Sequence, residues 1–410
     1  MKQSAYFKFF AVLRSVCLAL LFFKQKIAYG SFFLYNNEVM NTNIFISAGD
    51  ISGDIHAANL IKEIKKLYSS ENKNAQIYAV GGNNLKTTAD VFMEDIVNLN
   101  AFGFFPLKQI FFLKEVLKKI KNIFVDKKIN KVILVDYYGF NIHVAKTAHE
   151  LKIPVYYFIA PQVWASRKYR IKNIAKYTDV VFPFLPFEKE MYEKENVKVF
   201  FEGNPLLDLV PETPLSSSDR QTIRPSDHPV VVGLFAGSRK NTIKRHLPVI
   251  LDTAKILKEK MNVKFILFSL DTLDYKIPDY IEIKNGADFE ERKNVDIAVC
   301  PSGTVSLENA LMGIPMVVMY KLSEANYQLA KMLINVKYIT LANILLNKEI
   351  VPECIQHDAT PEKISNKVLE ILRSEKYNEI KRELLNFRNM LGKKGVYERV
   401  AKRIAEQFVS

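Results

Sequence analysis

Residues 44–68 have the sequence IFISAGDISGDIHAANLIKEIKKLY, in which a strand, a tight loop and a helix follow one another. The apolar run at 44–47 is typical of a buried strand. Over 58–68, leucines and isoleucines recur at helical spacing on one face and lysines lie on the other. This order predicts the first unit of a parallel sheet that is covered by helices.

The same alternation continues along the chain. Further strands are predicted at 77–80, 131–135, 155–159, 180–182, 199–201, 230–235, 264–268, 295–300 and 316–319. Further helices are predicted at 110–125, 142–151, 243–260, 306–312, 361–373 and 377–391, followed by a basic tail helix. Strands that alternate with helices in this way indicate doubly wound α/β architecture.

The segment 211–229, PETPLSSSDRQTIRPSDHP, interrupts this alternation with four prolines and three consecutive serines. Such a composition is typical of an interdomain linker. We therefore expect two Rossmann-like domains, at 40–210 and 230–375, followed by C-terminal helices at 376–410. Two such domains would face each other across a cleft at the carboxyl ends of their strands, where open α/β sheets bind ligands.

Residues 1–39 form a hydrophobic and basic extension for which three alternatives remain open. The segment could be a signal peptide, a short membrane anchor, or an extension ahead of a later start at Met40. Its uninterrupted apolar run, 15–23, is too short to cross a bilayer, and an extension is favoured.

The composition describes a globular chain of 410 residues that is 49% hydrophobic and 25% charged. Three cysteines are too few for a disulfide framework or a four-ligand zinc site, and no pair of histidines has metal-binding spacing. We expect no metal and no other cofactor. The net charge of +14 favours an anionic partner: nucleic acid, anionic lipid or a phosphorylated substrate. Dispersed lysines and the lack of an aromatic–basic motif argue against nucleic acid. The oligomeric state remains open, and homo-oligomers are compatible with the sequence.

The loop 47–54, SAGDISGD, joins the first strand to its helix. Gly49 and Gly53 permit a tight turn, and free amides at the helix start would suit a phosphate or sugar oxygen. The alternative is a structural turn in which Ser52 or Asp54 caps the helix.

Two later loops of the first domain carry polar or aromatic candidates. Asp136 follows the strand 131–135, where a carboxylate could act as a general base or could cap the next helix. The loop 160–167 contains Pro161 and the only tryptophan, Trp164. That indole could stack on a sugar ring or could simply pack.

The second domain has two comparable loops. Gly237, Ser238 and Arg239 follow the strand 230–235 and offer amides and a guanidinium to a diphosphate, although a solvated arginine is the alternative.

After the strand 295–300, Ser302 and Thr304 flank Gly303 and could cap a helix whose N-terminus attracts anions. Glu308 lies one turn further along and could accept the two hydroxyls of a ribose. The alternative is an ordinary capped helix.

Residues 102–120, FGFFPLKQIFFLKEVLKKI, combine aromatic side chains with lysines. This combination suits a segment that lies on an anionic membrane, or else a core helix with a solvated lysine face. The candidate membrane contacts are Phe102, Phe104, Phe105, Phe111 and Phe112.

Several specific motifs occur in a characteristic order. They are SAGDISGD at 47–54, VGG at 80–82, VWASRKYRIKNI at 163–174, FPFLPFEKEMY at 182–192, EGNPLLD at 202–208, AGSR at 236–239, SGTVSLENALMGIPMVVMYK at 302–321, YITLANILLNKEIVPECIQ at 338–356 and TPE at 360–362. Over 40–410 the chain resembles the lipid-A-disaccharide synthase family, which has the B-type two-domain glycosyltransferase fold.

The resemblance implies an inverting hexosyltransferase of lipid A and lipopolysaccharide biosynthesis. The donor would be UDP-2,3-diacylglucosamine and the acceptor 2,3-diacylglucosamine 1-phosphate, giving the disaccharide 1-phosphate and UDP. The enzyme would be cytoplasmic and peripheral to the inner face of the bacterial inner membrane. Alternatives are another UDP-GlcNAc-using enzyme of this fold, either a polyprenyl-linked GlcNAc transferase or an epimerase, and more distantly a nucleic-acid-binding protein.

The resemblance also implies roles for individual residues. Asp136 and Arg239 would be catalytic. The UDP side would comprise Gly237, Ser238, Arg239, Ser302, Gly303, Thr304, Glu308, Asn343 and Gln356. The acceptor and cleft side would comprise Gly49, Ser52, Gly53, Asp54, Pro161, Trp164 and Asn204.

The chain departs from the family pattern at several of these motifs. Gly139 stands where the family has a second aspartate, so Asp136 is left alone in its motif. Asn204 stands where a histidine is usual, Ala236 replaces a proline, and Asp50 replaces a glutamate. We expect these changes to affect the rate or the acyl-chain preference and to leave the fold intact.

Overall fold

The computed structural model describes residues 41–97, 106–165, 168–212, 229–237, 240–269, 275–333 and 336–406. The extension at 1–39 and most of the predicted linker lie outside these residues. Two parallel sheets, each covered by helices, confirm the predicted doubly wound α/β class.

The N-terminal sheet has seven strands in the order β3-β2-β1-β4-β5-β6-β7. The strands are β1 (Asn41–Ala48), β2 (Asn74–Gly81), β3 (Val91–Asp95), β4 (Lys131–Val135), β5 (Val155–Phe158), β6 (Val180–Phe182) and β7 (Lys198–Val199). Its helices are α1 (Ile51–Ser70), α2 (Asn83–Thr88), α3 (Pro106–Asp126), α4 (Tyr138–Glu150), α5 (Arg170–Tyr177), α6 (Glu188–Glu193) and α7 (Leu206–Leu209).

The C-terminal sheet has six strands in the order β10-β9-β8-β11-β12-β13. They are β8 (Val230–Phe235), β9 (Val263–Ser269), β10 (Ile281–Asn285), β11 (Ile297–Pro301), β12 (Met316–Tyr320) and β13 (Glu353–Ile355). The helices are α8 (Lys240–Lys260), α9 (Phe289–Arg292), α10 (Thr304–Leu311), α11 (Glu324–Leu333), α12 (Leu341–Leu346), α13 (Pro361–Leu372), α14 (Lys376–Met390) and α15 (Val396–Ala405).

The central strand β1 shows why a continuous apolar run forms this sheet. Ile44 and Ile46 are fully buried in one hydrophobic cluster, while Phe45 is buried in the other. The ring of Phe45 meets the ring of Phe124 edge-on, with 5.0 Å between the ring centroids. Successive side chains of a strand point to opposite faces, so both faces of β1 are covered.

In each sheet the strand order reverses beside the first strand, between β1 and β4 and between β8 and β11. Ligands of open α/β sheets bind in the crevice at such switch points. The loops that follow these four strands are therefore the ones that the fold presents to a ligand.

The final helix, α15, packs against α1 of the N-terminal domain, whereas α14 stays with α10 and α13 of the C-terminal domain. The Asp208 carboxylate accepts hydrogen bonds from the amides of Gly395 at 2.6 Å and Tyr397 at 3.0 Å. The segment predicted at 376–410 is thus divided between the two domains, and its last helix crosses back over the junction.

Candidate functional site

A cavity of about 870 Å³ lies between the carboxyl edges of the two sheets, and we call it the cleft cavity. The loops after β1, β4 and β5 line one side, and the turn before α10 and the segment 336–344 line the other. The predicted site residues that it brings together are Gly49, Ser52, Gly53, Asp136, Trp164, Ser302, Gly303 and Thr304.

A second cavity of about 410 Å³ adjoins it on the C-terminal side, and we call it the C-domain cavity. Gly237 and Glu308 line it together with Arg292, which sequence reasoning missed. Both cavities share the turn 302–304, so a ligand that spans them would pass this turn.

Asp136 lies immediately after β4 in a strained backbone conformation. Asp136 has φ 47° and Tyr137 has φ 46°, in the left-handed region that residues other than glycine rarely adopt. The Asp136 carbonyl accepts hydrogen bonds from the Tyr157 hydroxyl at 2.7 Å and from Asn141 Nδ2 at 2.9 Å. Ile159, which lines the same cavity after β5, also has positive φ, at 55°. Strain of this kind clusters at functional sites because the surrounding contacts maintain it.

The alternative that Asp136 caps α4 is wrong, because the N-cap residue is Tyr137. The ring of Tyr137 lies so close to Gly49 that a Cβ at Gly49 would be 1.9 Å from its Cδ1 atom. Gly49 is therefore required for the close approach of the loops after β1 and β4.

The predicted caps of α1 are also wrong. Asp50 is the N-cap residue, and its Oδ1 accepts from the Gly53 amide at 2.6 Å. Asp54 is buried, and its carboxylate accepts from the amides of Gly82 at 2.7 Å and Asn84 at 2.8 Å. Asp54 stabilises the turn between β2 and α2 and does not reach the cleft cavity.

Trp164 is held on the wall of the cleft cavity by Glu188, which sequence reasoning missed. The indole Nε1 donates to Glu188 Oε1 at 2.8 Å. Oε2 of Glu188 accepts from the amides of Phe184 and Leu185, both at 2.9 Å. Glu188 is only 1% exposed, and burial raises its pKa to about 7. Its one sequence signal was an acidic residue within the apolar run FPFLPFE.

His56 is a second missed residue, and it lines both cavities. Its Nδ1 lies 2.7 Å from the Tyr397 hydroxyl of α15. Burial lowers the pKa of His56 to about 4, so the imidazole is neutral at neutral pH. The helix that crosses back between the domains thus fixes a ring at the junction of the two cavities.

The C-domain cavity contains a buried ion pair between Arg292 Nη1 and Glu308 Oε2 at 2.6 Å. The Arg292 guanidinium lies over the rings of Phe289 and Phe235, at 4.9 and 5.0 Å from their centroids. Such cation–π and ionic contacts hold the Glu308 carboxylate at the cavity wall in a fixed orientation. No sequence pattern linked Arg292 to Glu308.

The turn before α10, residues 302–304, lines both cavities. The N-cap residue is Gly303, with φ 142°, and its amide donates to Ser306 Oγ at 3.1 Å. The prediction that Ser302 or Thr304 caps this helix is therefore wrong. The Ser302 hydroxyl donates to the Ile339 carbonyl at 2.7 Å instead. Gly303 and Thr304 are exposed, so the positive end of α10 faces the space where a ligand would lie.

Two predicted UDP-side residues do not line either cavity. The Asn343 side chain accepts from the amides of Ile350 at 2.8 Å and Val351 at 3.1 Å and donates to the Val351 carbonyl. Gln356 accepts from the Leu322 amide at 3.0 Å. The side chains of Asn343 and Gln356 therefore hold loops of the C-terminal domain in place.

Two residues predicted on the acceptor and cleft side, Asn204 and Pro161, likewise line neither cavity. The side chain of Asn204 is fully buried and donates to the Phe184 carbonyl at 3.1 Å. Pro161 lies beside the cavity wall, where its carbonyl accepts from the Tyr192 hydroxyl at 3.0 Å.

Some predictions fall outside the described residues, namely those for Ser238, Arg239, Phe102, Phe104 and Phe105. In α3, Ile110 and Phe111 are 50% and 65% exposed. Phe112, predicted to contact the membrane, is half-buried and packs against the core. Among the described residues, no helix is long and apolar enough to cross a membrane, and no cluster of acidic, histidine or cysteine side chains could hold a metal.

Two doubly wound domains that face each other across a ligand-sized cleft define the glycosyltransferase-B class of fold. A putative UDP-N-acetylglucosamine 2-epimerase from Listeria monocytogenes has a similar structure, with a TM-score of 0.60 at 13% identity over 88% of this chain and 94% of that one. MurG from Acinetobacter baumannii has a TM-score of 0.54 at 13% identity, over 88% and 99% of the two chains. At this identity the likeness establishes the fold alone.

The chain belongs to the lipid-A-disaccharide synthetase family, whose sequence model matches residues 44–408. The lipid-A-disaccharide synthase of Syntrophus aciditrophicus is 36% identical over 373 residues, which cover 87% of this chain and 96% of the relative. That of Trichlorobacter lovleyi is 33% identical over 370 residues, 87% and 95% of the two chains. The predicted family and enzyme class, a glycosyltransferase, are thereby confirmed.

Proposed function

We propose that the chain transfers 2,3-diacylglucosamine from its UDP derivative to 2,3-diacylglucosamine 1-phosphate, forming a β-1′,6-linked disaccharide 1-phosphate and UDP. The observation that carries this proposal is the shared cleft cavity. Asp136 from one domain and the turn 302–304 from the other line the same space in a chain of the lipid-A-disaccharide synthetase family.

Asp136 is the proposed general base. Its carboxylate takes the proton of the acceptor 6-hydroxyl as that oxygen bonds to the anomeric carbon of the donor. The bond from this carbon to the UDP oxygen breaks in the same displacement. Attack from the face opposite to UDP converts the α-linked donor into a β-linked product.

The departing UDP gains negative charge, which the second domain is suited to stabilise. The turn 302–304 forms the N-terminus of α10. A diphosphate bound beside this turn would face the amides and the positive end of the helix dipole. Glu308 in the C-domain cavity would accept the ribose hydroxyls. Arg239, which lies outside the described residues, is proposed as a further cation for the diphosphate.

Release of UDP by the purified full-length chain tests this function. Both acylated substrates should be needed, and UDP-GlcNAc should be a far poorer donor than UDP-2,3-diacylglucosamine. Conversion of UDP-GlcNAc to its 2-epimer without any acceptor would overturn the proposal.

Glu308→Gln is expected to weaken UDP binding by about tenfold, because a charged acceptor for two hydroxyls is replaced by a single amide oxygen. The change also leaves Arg292 without its buried partner. Titration calorimetry with UDP measures the effect. Glu290→Gln, at an exposed site on α9, is the matched control and should leave UDP binding unchanged. Equal UDP affinity of Glu308→Gln and the native chain would exclude Glu308 from the ribose site.

We further propose that the N-terminal end of α3 contacts the inner face of the bacterial inner membrane. Ile110 and Phe111 are exposed there beside Lys108 and Lys114. Apolar side chains flanked by lysines favour a surface rich in anionic lipid.

Replacing Ile110 and Phe111 together by serine should reduce co-sedimentation with anionic vesicles by about tenfold or more, since two exposed apolar side chains are lost. Val125→Ser, at the other end of the same helix, is the control because Val125 is similarly exposed. Undiminished co-sedimentation of the double variant would contradict a membrane contact at this end of α3.

A further inference from the structure

Part of the C-terminal side of the cleft cavity is apolar, although sugars and phosphates are polar ligands. We call this part the apolar wall and define it as Val336, Ile339, Leu341 and Ile344 of the C-terminal domain. All four residues line the cavity and are half-buried. A concave apolar surface of this kind favours an apolar ligand, because contact with the ligand removes it from water.

The apolar wall is fixed relative to the proposed diphosphate site. The Ile339 carbonyl accepts from the Ser302 hydroxyl at 2.7 Å, and the Ile339 amide donates to Glu353 Oε2 at 2.9 Å. Asn343 Nδ2 donates to the other oxygen of Glu353, at 2.9 Å. A group attached to a sugar beside Ser302 would therefore meet the wall at a defined distance and direction.

Across the cavity, Ile96, Val97 and Leu113 extend the apolar lining onto the N-terminal domain. Leu113 belongs to α3, one turn after the exposed Ile110. The apolar lining thus continues from the interior of the cleft to the surface that we propose contacts lipid.

We propose that the apolar wall binds an acyl chain of the donor sugar and sets the preferred chain length. This inference rests on the proposed function and assigns it a subsite. The acyl chain at the wall belongs to the donor rather than to the acceptor, because Ile339 of the wall is hydrogen-bonded to Ser302 in the turn that would hold the donor's diphosphate. The volume of the cleft cavity, about 870 Å³, leaves space beside a sugar ring for such a chain.

The test measures the binding of donors that differ only in chain length. Titration calorimetry would compare UDP-GlcNAc with UDP-glucosamine carrying two butanoyl or two octanoyl chains, in the native full-length chain, Leu341→Gln and Ile344→Gln. Ile283→Gln is the matched control, because Ile283 is an exposed aliphatic residue of the edge strand β10 and lines neither cavity.

The native chain should bind the octanoyl donor about tenfold or more tightly than the butanoyl donor, since each buried methylene group adds to the affinity. Both wall variants should lose most of this difference and should bind UDP-GlcNAc within about twofold of the native chain. The control should retain the difference. A preserved length preference in the variants, or an equal loss for all three donors, would overturn the proposal.

Transfer assays separate this proposal from the proposed function. If the native chain binds the longer donor more tightly but transfers no sugar, the proposed function is wrong and the proposed acyl subsite is still supported. If sugar transfer proceeds and Ile344→Gln alters the chain-length preference for the acceptor alone, the proposed function is supported and the donor subsite is wrong. A native chain that binds no UDP-sugar contradicts both.

Discussion

Replacing Asp136 by asparagine should lower kcat by about 10²- to 10⁴-fold, the range typical of a lost general base. The affinity for UDP should stay within about twofold, since the proposed UDP contacts lie on the other domain. Asparagine adopts the left-handed region as readily as aspartate does, so the strained turn at φ 47° is retained. Turnover from UDP release and calorimetry with UDP measure the two quantities.

Asp252→Asn provides the matched control, because Asp252 is an exposed carboxylate on α8. It should leave both quantities unchanged. Near-native turnover of Asp136→Asn would remove Asp136 from the role of base. A loss of UDP affinity equal to the loss of turnover would show that the substitution had disturbed the cleft as a whole.

The central strands were predictable because a buried strand appears in the sequence as a run of apolar residues. For β4, β6 and β8 the predicted and observed bounds coincide, since a strand buried on both faces needs a continuous apolar run. The edge strands β3 and β10 were missed. In β10, IEIKN, most side chains are exposed or half-buried, so polar residues interrupt the pattern.

The convergence of loops was also predictable, because the carboxyl ends of parallel strands share one edge. The structure brings Asp136 and the turn 302–304 to the same cavity, while their catalytic roles stay predictions. Asn204 and Asn343 are different. Asn204 donates to the carbonyl of Phe184, and Asn343 accepts from the amide of Ile350 in the loop that follows its own helix. A sequence motif cannot distinguish an amide side chain that binds a ligand from one that holds such a loop.

The missed residues Glu188, His56 and Arg292 are ionisable groups that the fold buries. Their significance arises from tertiary partners: Trp164, Tyr397 and Glu308. Glu188 is a single charge at the end of an apolar run, whereas Arg292 is one of several charged residues in DFEERK at 288–293. In both cases only the three-dimensional contacts show which group the side chain holds.

Glu188→Gln is expected to lower kcat/KM by about tenfold or more, because it releases Trp164 from the wall of the cleft cavity. A carboxylate accepts from the indole through one oxygen and from two backbone amides through the other. An amide has only one accepting oxygen. If the glutamine oxygen accepts from the amides of Phe184 and Leu185, its NH₂ group faces the indole N–H of Trp164. Two hydrogen-bond donors then oppose each other.

Trp164 is the only tryptophan, so its fluorescence reports this contact without interference. In Glu188→Gln the emission should shift to the red and become more accessible to an iodide quencher. Trp164→Phe is the companion variant. It retains an aromatic ring but not the N–H group, and it should lose activity to a similar extent if the held indole is what matters. Native emission together with native activity in Glu188→Gln would refute the positioning role.

The pH dependence follows from the raised pKa of Glu188, about 7, which burial causes and the negative charge of Asp136 increases. Since the charged form accepts most strongly, the indole contact should strengthen, and activity should rise, as pH increases through about 7. Folding stability runs the other way: a carboxyl whose folded pKa is raised stabilises the fold fully below its ordinary value of 4.5, and this contribution is lost as pH rises towards 7. In Asp136→Asn the fluorescence midpoint should move to lower pH, because the repelling charge is gone. An unchanged midpoint would mean that the transition belongs to a group other than Glu188.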